Sequence, residues 1–215
     1  SCLYKNLGYD CFGEPIEIIV GQKVYEYDGF VLYYDSIDQK GLIASNHILD
    51  EGSSDPYEYG YNGYEWGCFD ISVLNEDEQG KRRNIGYGKQ NTQDILDMSC
   101  LSLEGGITAA QACSEYSFGD FSDWFLPSLD ELNELLSLPN IIDYNSLELP
   151  AFFWSSTESD YLPWSETLAK HVTLSENQVY NQSDVAKNSI RQVIPIHAFG
   201  NWTEGCIDWM ACNYT

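Results

Sequence analysis

Cysteine is the residue type whose number and spacing carry the most chemistry in this sequence. There are seven cysteines, and three pairs lie close along the chain. This spacing predicts the disulfides Cys2–Cys11, Cys100–Cys113 and Cys206–Cys212, with Cys68 as the unpaired cysteine. A zinc site would favour Cys-x2–4-Cys spacing and clustered histidines, whereas the three histidines are scattered. The pattern therefore indicates disulfides and an oxidising, extracellular compartment.

Nucleophilic catalysis would need a serine or cysteine held beside a base. The sequence has no Gly-x-Ser-x-Gly motif, and the Trp-Ser-Ser run at Trp154–Ser156 lies in a strand-like segment where packing explains it. Cys68 would need a neighbouring base, and only folding could bring His47 or His171 close to it. We therefore expect no catalytic residues and predict that the chain is not an enzyme.

Acidic side chains dominate the charge of the chain. The 34 Asp and Glu residues against 10 Lys and Arg give a formal net charge of −24, which argues against nucleic acid and anionic membranes as partners. No apolar run is long enough for membrane insertion. Asp120, Asp123 and Asp208 are candidate calcium ligands, although no Asp-x-Asp-x-Asp-Gly loop is present and a solvated acidic surface explains most acidic groups. Calcium is therefore a candidate cofactor that the sequence does not require.

A long loop rich in Gly, Tyr and Asp spans residues 50–68 and offers aromatic faces for binding a ligand. The candidate binding residues are Tyr57, Tyr59, Tyr61, Tyr64 and Trp66. The alternative is a tyrosine-rich loop folded over its own core. Three Asn-x-Ser/Thr sequons also occur, at Asn181, Asn201 and Asn213, and their number is close to chance. They permit glycosylation but do not indicate it.

Strand patterns come first and last in the chain, with helical patterns between them. The expected strands are Ile16–Val20, Gly29–Asp35, Gly41–Ser45, Phe152–Ser156, Trp164–Leu174 and Ser189–Phe199. The expected helices are 92–99, 108–116 with a Thr108–Gln111 capping box, and one opened by a Ser128–Glu131 capping box. In the last helix Leu129, Leu132, Leu135 and Leu136 recur at helical spacing, so we expect them to face the sheet beside a buried Trp124. This order predicts an α+β domain.

Several motifs occur in an order that resembles one family of bacterial surface domains. They are GFVLYYD, GLIAS, EWGC, IGYGKQNTQDIL, AAQAC, DWFLPSLDELNEL, FWSSTE and IRQVIPIHAF. The family is the C-terminal domain of the collagen-like adhesin Lcl, and the likeness covers residues 24–199. The resemblance implies a C-type-lectin-like fold with antiparallel strands, two to three short helices and long loops. It also implies a secreted or surface protein concerned with adhesion, although the Glu-Pro-Asn, Gln-Pro-Asp and Trp-Asn-Asp motifs of calcium-dependent lectins are missing.

Both ends of the chain resemble pieces of a short acidic Cys repeat found in secreted surface proteins. Residues 1–14 are similar to the end of such a repeat, residues 200–215 to its start, and residues 15–199 form the expected globular domain. We therefore expect an extracellular structural or adhesion module of a larger surface or filament-forming protein. Its partners would be other copies, neighbouring modules, or a surface glycan or protein. The alternative function is carbohydrate binding through loop 50–68, with or without calcium.

Overall fold

Antiparallel sheets and three short helices form the regular structure of the described chain, and the fold class is α+β as the sequence predicts. The structure is a computed structural model that describes residues 17–54, 62–73, 82–103, 105–138, 141, 147–161, 164–175, 180–200 and 202. The strands are β1 (Lys23–Val24), β2 (Gly29–Asp35), β3 (Lys40–Ser45), β4 (Ser53–Ser54), β5 (Asn62–Gly63), β6 (Ala151–Glu158), β7 (Leu168–Leu174), β8 (Tyr180–Ala186) and β9 (Ile196–Gly200). The helices are α1 (Gly88–Asp97), α2 (Ala109–Glu115) and α3 (Leu129–Ser137).

The first sheet has the order β1-β2-β3-β9, and every pairing in it is antiparallel. Its register shifts between Val31 and Tyr33, which is the signature of a β-bulge. Consecutive Val31 and Leu32 are both buried, at 1% and 2% exposure, and they pack in different hydrophobic clusters. The sheet is therefore covered on both faces at this point.

The second sheet has the order β6-β7-β8. A segment before β9 joins the two sheets, because Gln192 pairs with Phe153 of β6 and the chain then continues into β9 of the first sheet. Strand β6 is unusual in burying a polar run, Ser155 to Glu158, at no more than 1% exposure. These hydroxyls are satisfied by hydrogen bonds, for example Ser156 Oγ to the carbonyl of Pro127 at 3.1 Å.

Helix α3 covers the core between the sheets. Its four leucines, Leu129, Leu132, Leu135 and Leu136, are at most 1% exposed and pack against residues of β6, β7 and β2, as the helical spacing predicts. The expected capping boxes at Thr108 and Ser128 are both present. Trp124 is 2% exposed, which confirms its predicted place in the core.

Several elements differ from the sequence-based expectation, and α1 spans Gly88–Asp97 instead of residues 92–99. Residues 17–20 are not a strand, since sheet pairing begins with the Gly21 N–H bonded to the Val31 carbonyl. Residues 164–167 form a turn, because the Trp164 carbonyl accepts from the N–H groups of Thr167 and Leu168. The segment 189–195 makes isolated bridges before β9 begins. Strand β8 was not expected, because its sequence YNQSDVA has few apolar residues to mark it.

Candidate functional site

The stem of the tyrosine-rich loop is held by backbone pairing. Strands β4 and β5 pair in antiparallel register, with Ser53 opposite Gly63 and Ser54 opposite Asn62. This ladder closes the segment 55–61 at its base. Tyr57, Tyr59 and Tyr61, three of the predicted binding residues, lie outside the described residues. The described residues on either side of these tyrosines are paired with each other.

Tyr64 and Trp66, the other two predicted binding residues, are buried, and the prediction that they offer free aromatic faces is wrong. Tyr64 is 7% exposed, and its backbone exchanges hydrogen bonds of 2.8 and 3.0 Å with Arg191. Trp66 is fully buried, and its indole N–H donates to the Ser155 carbonyl at 2.9 Å. The chain enters the core directly after β5, so these rings anchor the loop instead of binding a ligand.

The disulfide of the described residues joins Cys68 to Cys100, so the predicted Cys100–Cys113 pair is wrong. Cys100 follows α1 and lies against the segment after Trp66, with the Cα atoms of Cys68 and Cys100 only 4.9 Å apart. Cys113 lies on the buried face of α2 as a free thiol, and burial raises its pKa. Cys68 is therefore not the unpaired cysteine. The predicted pairs Cys2–Cys11 and Cys206–Cys212 lie outside the described residues.

A buried ion pair that the sequence does not indicate lies beneath the same stem. Lys187 Nζ lies 2.5 Å from Glu158 Oε1, and both side chains are fully buried. The ammonium also donates to the carbonyls of Ile71 at 2.7 Å and Cys68 at 3.4 Å. It lies 4.7 Å from the centre of the Trp66 ring, within the range of a cation–π contact. No motif signals this pair, because 29 residues separate its two members.

The ion pair locks the segment 68–73 to the second sheet. Glu158 accepts from the Val73 N–H at 2.9 Å and from the Ser72 hydroxyl at 3.3 Å. Burial lowers the pKa of Lys187, while the neighbouring Glu158 carboxylate opposes that shift. With three acceptors around one ammonium, Lys187 is satisfied as a charged donor. The arrangement is suited to fixing a loop in place, not to attacking a substrate.

The residues considered for nucleophilic chemistry do not form a catalytic group. The Ser155 hydroxyl donates to the Lys170 carbonyl at 2.8 Å, and Cys68 is consumed by the disulfide. His171 Nε2 lies 2.6 Å from the Ser183 hydroxyl, and burial, reinforced by the Arg191 charge, lowers its pKa to about 4. His47 lies 2.9 Å from an Asp28 carboxylate oxygen at the surface. Each candidate is thus occupied by a separate structural contact.

Two of the three candidate calcium ligands, Asp120 and Asp123, lie in the described residues. Asp120 is exposed, and Asp123 Oδ1 lies 3.0 Å from His197 Nδ1, with Lys89 Nζ 4.0 Å from its other oxygen. The His197 ring packs among Tyr27, Phe121 and Trp124, and burial lowers its pKa. Asp208 lies outside the described residues. In the part of the chain that is described, no three His, Cys, Asp or Glu side chains group as metal ligands would.

Of the three sequons, Asn181 lies exposed on β8. Asn201 and Asn213 lie outside the described residues.

Comparison with known proteins adds no identity to this geometry. No protein-family model matches the chain, and a search of curated proteins gave no significant match. Within the described ranges, no helix is both long and apolar enough to cross a bilayer.

Proposed function

We propose that the chain is a non-enzymatic, extracellular structural or adhesion module of a larger surface or filament-forming protein, with a C-type-lectin-like fold. One observation carries the proposal: the stem of loop 50–68 is fastened by four independent devices. They are the β4–β5 ladder, the buried Tyr64 and Trp66, the Cys68–Cys100 disulfide and the Lys187–Glu158 pair. Such a stem fixes the described residues on either side of segment 55–61, and a fixed backbone lowers the entropy cost of binding.

The disulfide and the charge support the extracellular setting. Stable disulfides are typical of secreted and surface proteins, and Cys68–Cys100 bridges segments 32 residues apart. The formal charge of −24 keeps the chain apart from nucleic acid and from anionic lipid. Segments 1–14 and 200–215 each carry two cysteines and resemble pieces of a short acidic Cys repeat. This resemblance fits a module that joins its neighbours through such repeats.

Carbohydrate binding is the second candidate function, and the amino-acid composition of segment 55–61 favours it. Tyr57, Tyr59 and Tyr61 fall between the paired residues Ser54 and Asn62. Tyrosine combines a flat apolar face with a hydrogen-bonding hydroxyl, which suits both sugar rings and protein surfaces. The negative charge of the chain disfavours sulfated glycans, so neutral glycans are the class to test.

The test compares the wild type with the triple variant Y57S/Y59S/Y61S and with the control Y25S, which replaces a 78% exposed tyrosine elsewhere. Each protein is applied to an array of neutral glycans and to immobilised wild-type chain, with and without calcium. Glycan binding that only the triple variant loses supports the lectin function, whereas self-binding that only the triple variant loses supports the structural function. Wild-type levels of binding by the triple variant would refute the assignment of the contact to this loop.

A further inference from the structure

Exposed apolar side chains are frequent in the two segments that the Cys68–Cys100 disulfide joins. Eleven large hydrophobic residues of the described chain are exposed. Five of them are residue 71 and four residues between 98 and 107. These five define the disulfide surface: Ile71 at 42%, Met98 at 45%, Leu101 at 75%, Leu103 at 61% and Ile107 at 42% exposure. Single exposed apolar residues are ordinary, but a group of this kind marks an interaction site.

The backbone beneath the disulfide surface is fixed. The disulfide joins Cys100 to the segment that leads to Ile71, with the two Cα atoms 4.9 Å apart. The Leu103 N–H donates to the buried Glu65 carboxylate at 2.7 Å. Next to Ile107, Thr108 bridges to Glu65 in parallel register. The two segments are therefore joined at three points, so a fixed backbone carries the exposed side chains of both.

The chemistry of the disulfide surface selects its partner. Its five members are aliphatic or thioether side chains, which suit apolar anchors of a protein and not the stacking of sugar rings. Residues 66–73 and 97–108 contain the acids Asp70, Asp97 and Glu104 and no Lys, Arg or His. An apolar centre with acidic flanks is complementary to apolar anchors surrounded by basic side chains. At this surface a basic partner is therefore more complementary than a second copy of this acidic chain or an anionic membrane.

We infer that the disulfide surface docks a basic amphipathic segment of a partner protein. The inference deepens the proposed adhesion role by giving the chemistry of one partner, through residues different from the tyrosines of segment 55–61. Variants of the two surfaces are different, so the failure of one assignment leaves the other standing.

The probe is a synthetic amphipathic helical peptide with a leucine face and a lysine face, and its control carries glutamate in place of lysine. The full chain is compared with L101S/L103S and with the control variant Y25S/I37S, which removes two residues exposed by 78% and 91% elsewhere. We expect the wild type and the control variant to bind the lysine peptide equally. We expect L101S/L103S to bind it at least about tenfold more weakly, because both apolar anchors of the surface are lost.

Hydrogen exchange of the wild type with bound peptide gives a second readout that needs no variant. Protection confined to residues 68–73 and 98–108 supports the inference, and protection elsewhere overturns it. Equal binding by all three proteins would show attraction by net charge alone and would also overturn it. Binding of the glutamate peptide, docking on neutral lipid vesicles, or self-association lost in L101S/L103S would assign the surface to a different occupant.

Discussion

Lys187 and Glu158 show how a buried charge can be retained at the residue scale. Neither side chain touches solvent, so each depends on the other and on the surrounding carbonyl and N–H groups. Removing one member leaves the other charged and buried, which costs far more than replacing the pair by apolar residues. The pair is therefore expected to fix the loop stem without adding much net stability.

We predict that K187M lowers the free energy of unfolding by about 3–5 kcal/mol, because the buried Glu158 carboxylate loses its positively charged partner. The double variant K187M/E158L should recover most of that loss. K170M is the matched control, since Lys170 pairs with Asp160 and Asp184, whose side chains are 50% and 30% exposed. Its cost should stay near about 1 kcal/mol or less. Urea denaturation measures all three, and a K187M cost no greater than that of K170M would contradict the prediction.

We predict that the buried Trp124 ring stabilises the fold. Its ring packs against Tyr116 and His197, with centres 5.2 and 5.4 Å away, and its indole N–H donates to the Phe121 carbonyl at 3.3 Å. Trp124→Ala should therefore cost about 3–5 kcal/mol. Trp164→Ala is the control, because Trp164 is 56% exposed, and it should cost about 0.5 kcal/mol or less. Equal unfolding midpoints for the two variants would refute the assignment.

Residue-scale prediction from sequence succeeded where local periodicity decides and failed where distant segments meet. Leu129 and Leu132 are found facing the core because helical spacing alone fixes their side of α3. Trp66 is buried because its N–H groups find Ser155 and Lys187, which lie far away in the sequence. A tyrosine-rich composition carries no information on such partners.

Glu131 links two elements, α3 and the turn that leads into α1. Its carboxylate completes the α3 capping box through the Ser128 N–H at 2.7 Å. It also accepts from the N–H groups of Gly86 at 2.7 Å and Gly88 at 3.5 Å. Gly88 is required here, because a Cβ at this position would collide with the carboxylate. The capping box was predictable from Ser-Leu-Asp-Glu, but the second attachment was not, since it spans more than 40 residues.

The free energy of unfolding should depend on pH through the protonation of Glu131. Complete burial raises its pKa to about 7, although the hydrogen bonds from Ser128, Gly86 and Gly88 oppose that shift. Because the folded pKa is above the unfolded value, this group stabilises the fold fully below about pH 4.5, and the contribution is lost as pH rises toward 7. A shift of this size corresponds to about 3 kcal/mol between those limits.

We predict that E131Q removes this pH dependence while lowering stability throughout, since an amide N–H₂ group would face the Ser128 N–H. Urea denaturation from pH 4.5 to 8 measures the effect as the difference between wild type and variant. That difference should be largest at acidic pH and shrink by about 3 kcal/mol toward pH 8. D130N, which alters the neighbouring surface pair with Arg83, is the control and should run parallel to wild type. A constant difference for E131Q would contradict the raised pKa.

The element order was predictable, because long periodic segments identify themselves. Strands β2 and β3 and helix α3 follow patterns that the sequence displays openly. Strand β8 carries mostly polar residues and is recognisable only through its pairing with β7. The buried polar run of β6 also breaks the usual alternation, since its hydroxyls are satisfied by loops such as the one that ends at Pro127.

At the scale of the whole molecule, the disulfide is the covalent tie between the tyrosine-loop stem and the end of α1. Sequence proximity suggested Cys100–Cys113, but α2 begins between these two cysteines and directs Cys113 into the core. Cys68 reaches Cys100 because residues 65–68 lie beside the segment that leads into α2. Pairing of cysteines is a property of the fold, and spacing along the chain does not determine it.

We predict that C68S/C100S lowers the free energy of unfolding by about 3–4 kcal/mol. A disulfide between residues 32 apart lowers the conformational entropy of the unfolded chain, and this effect contributes about that much to stability. C113A is the control, since Cys113 is a buried free thiol, and trimming its sulfur should cost only about 1 kcal/mol. Thermal unfolding under non-reducing conditions compares the variants, and a non-reducing peptide map of the wild type reads the pairing directly.

Native alkylation should leave Cys113 unmodified, because the thiol is inaccessible and burial raises its pKa. A Cys100–Cys113 peptide, or rapid labelling of Cys113 in the folded protein, would overturn this pairing and with it the covalent anchoring of the loop stem.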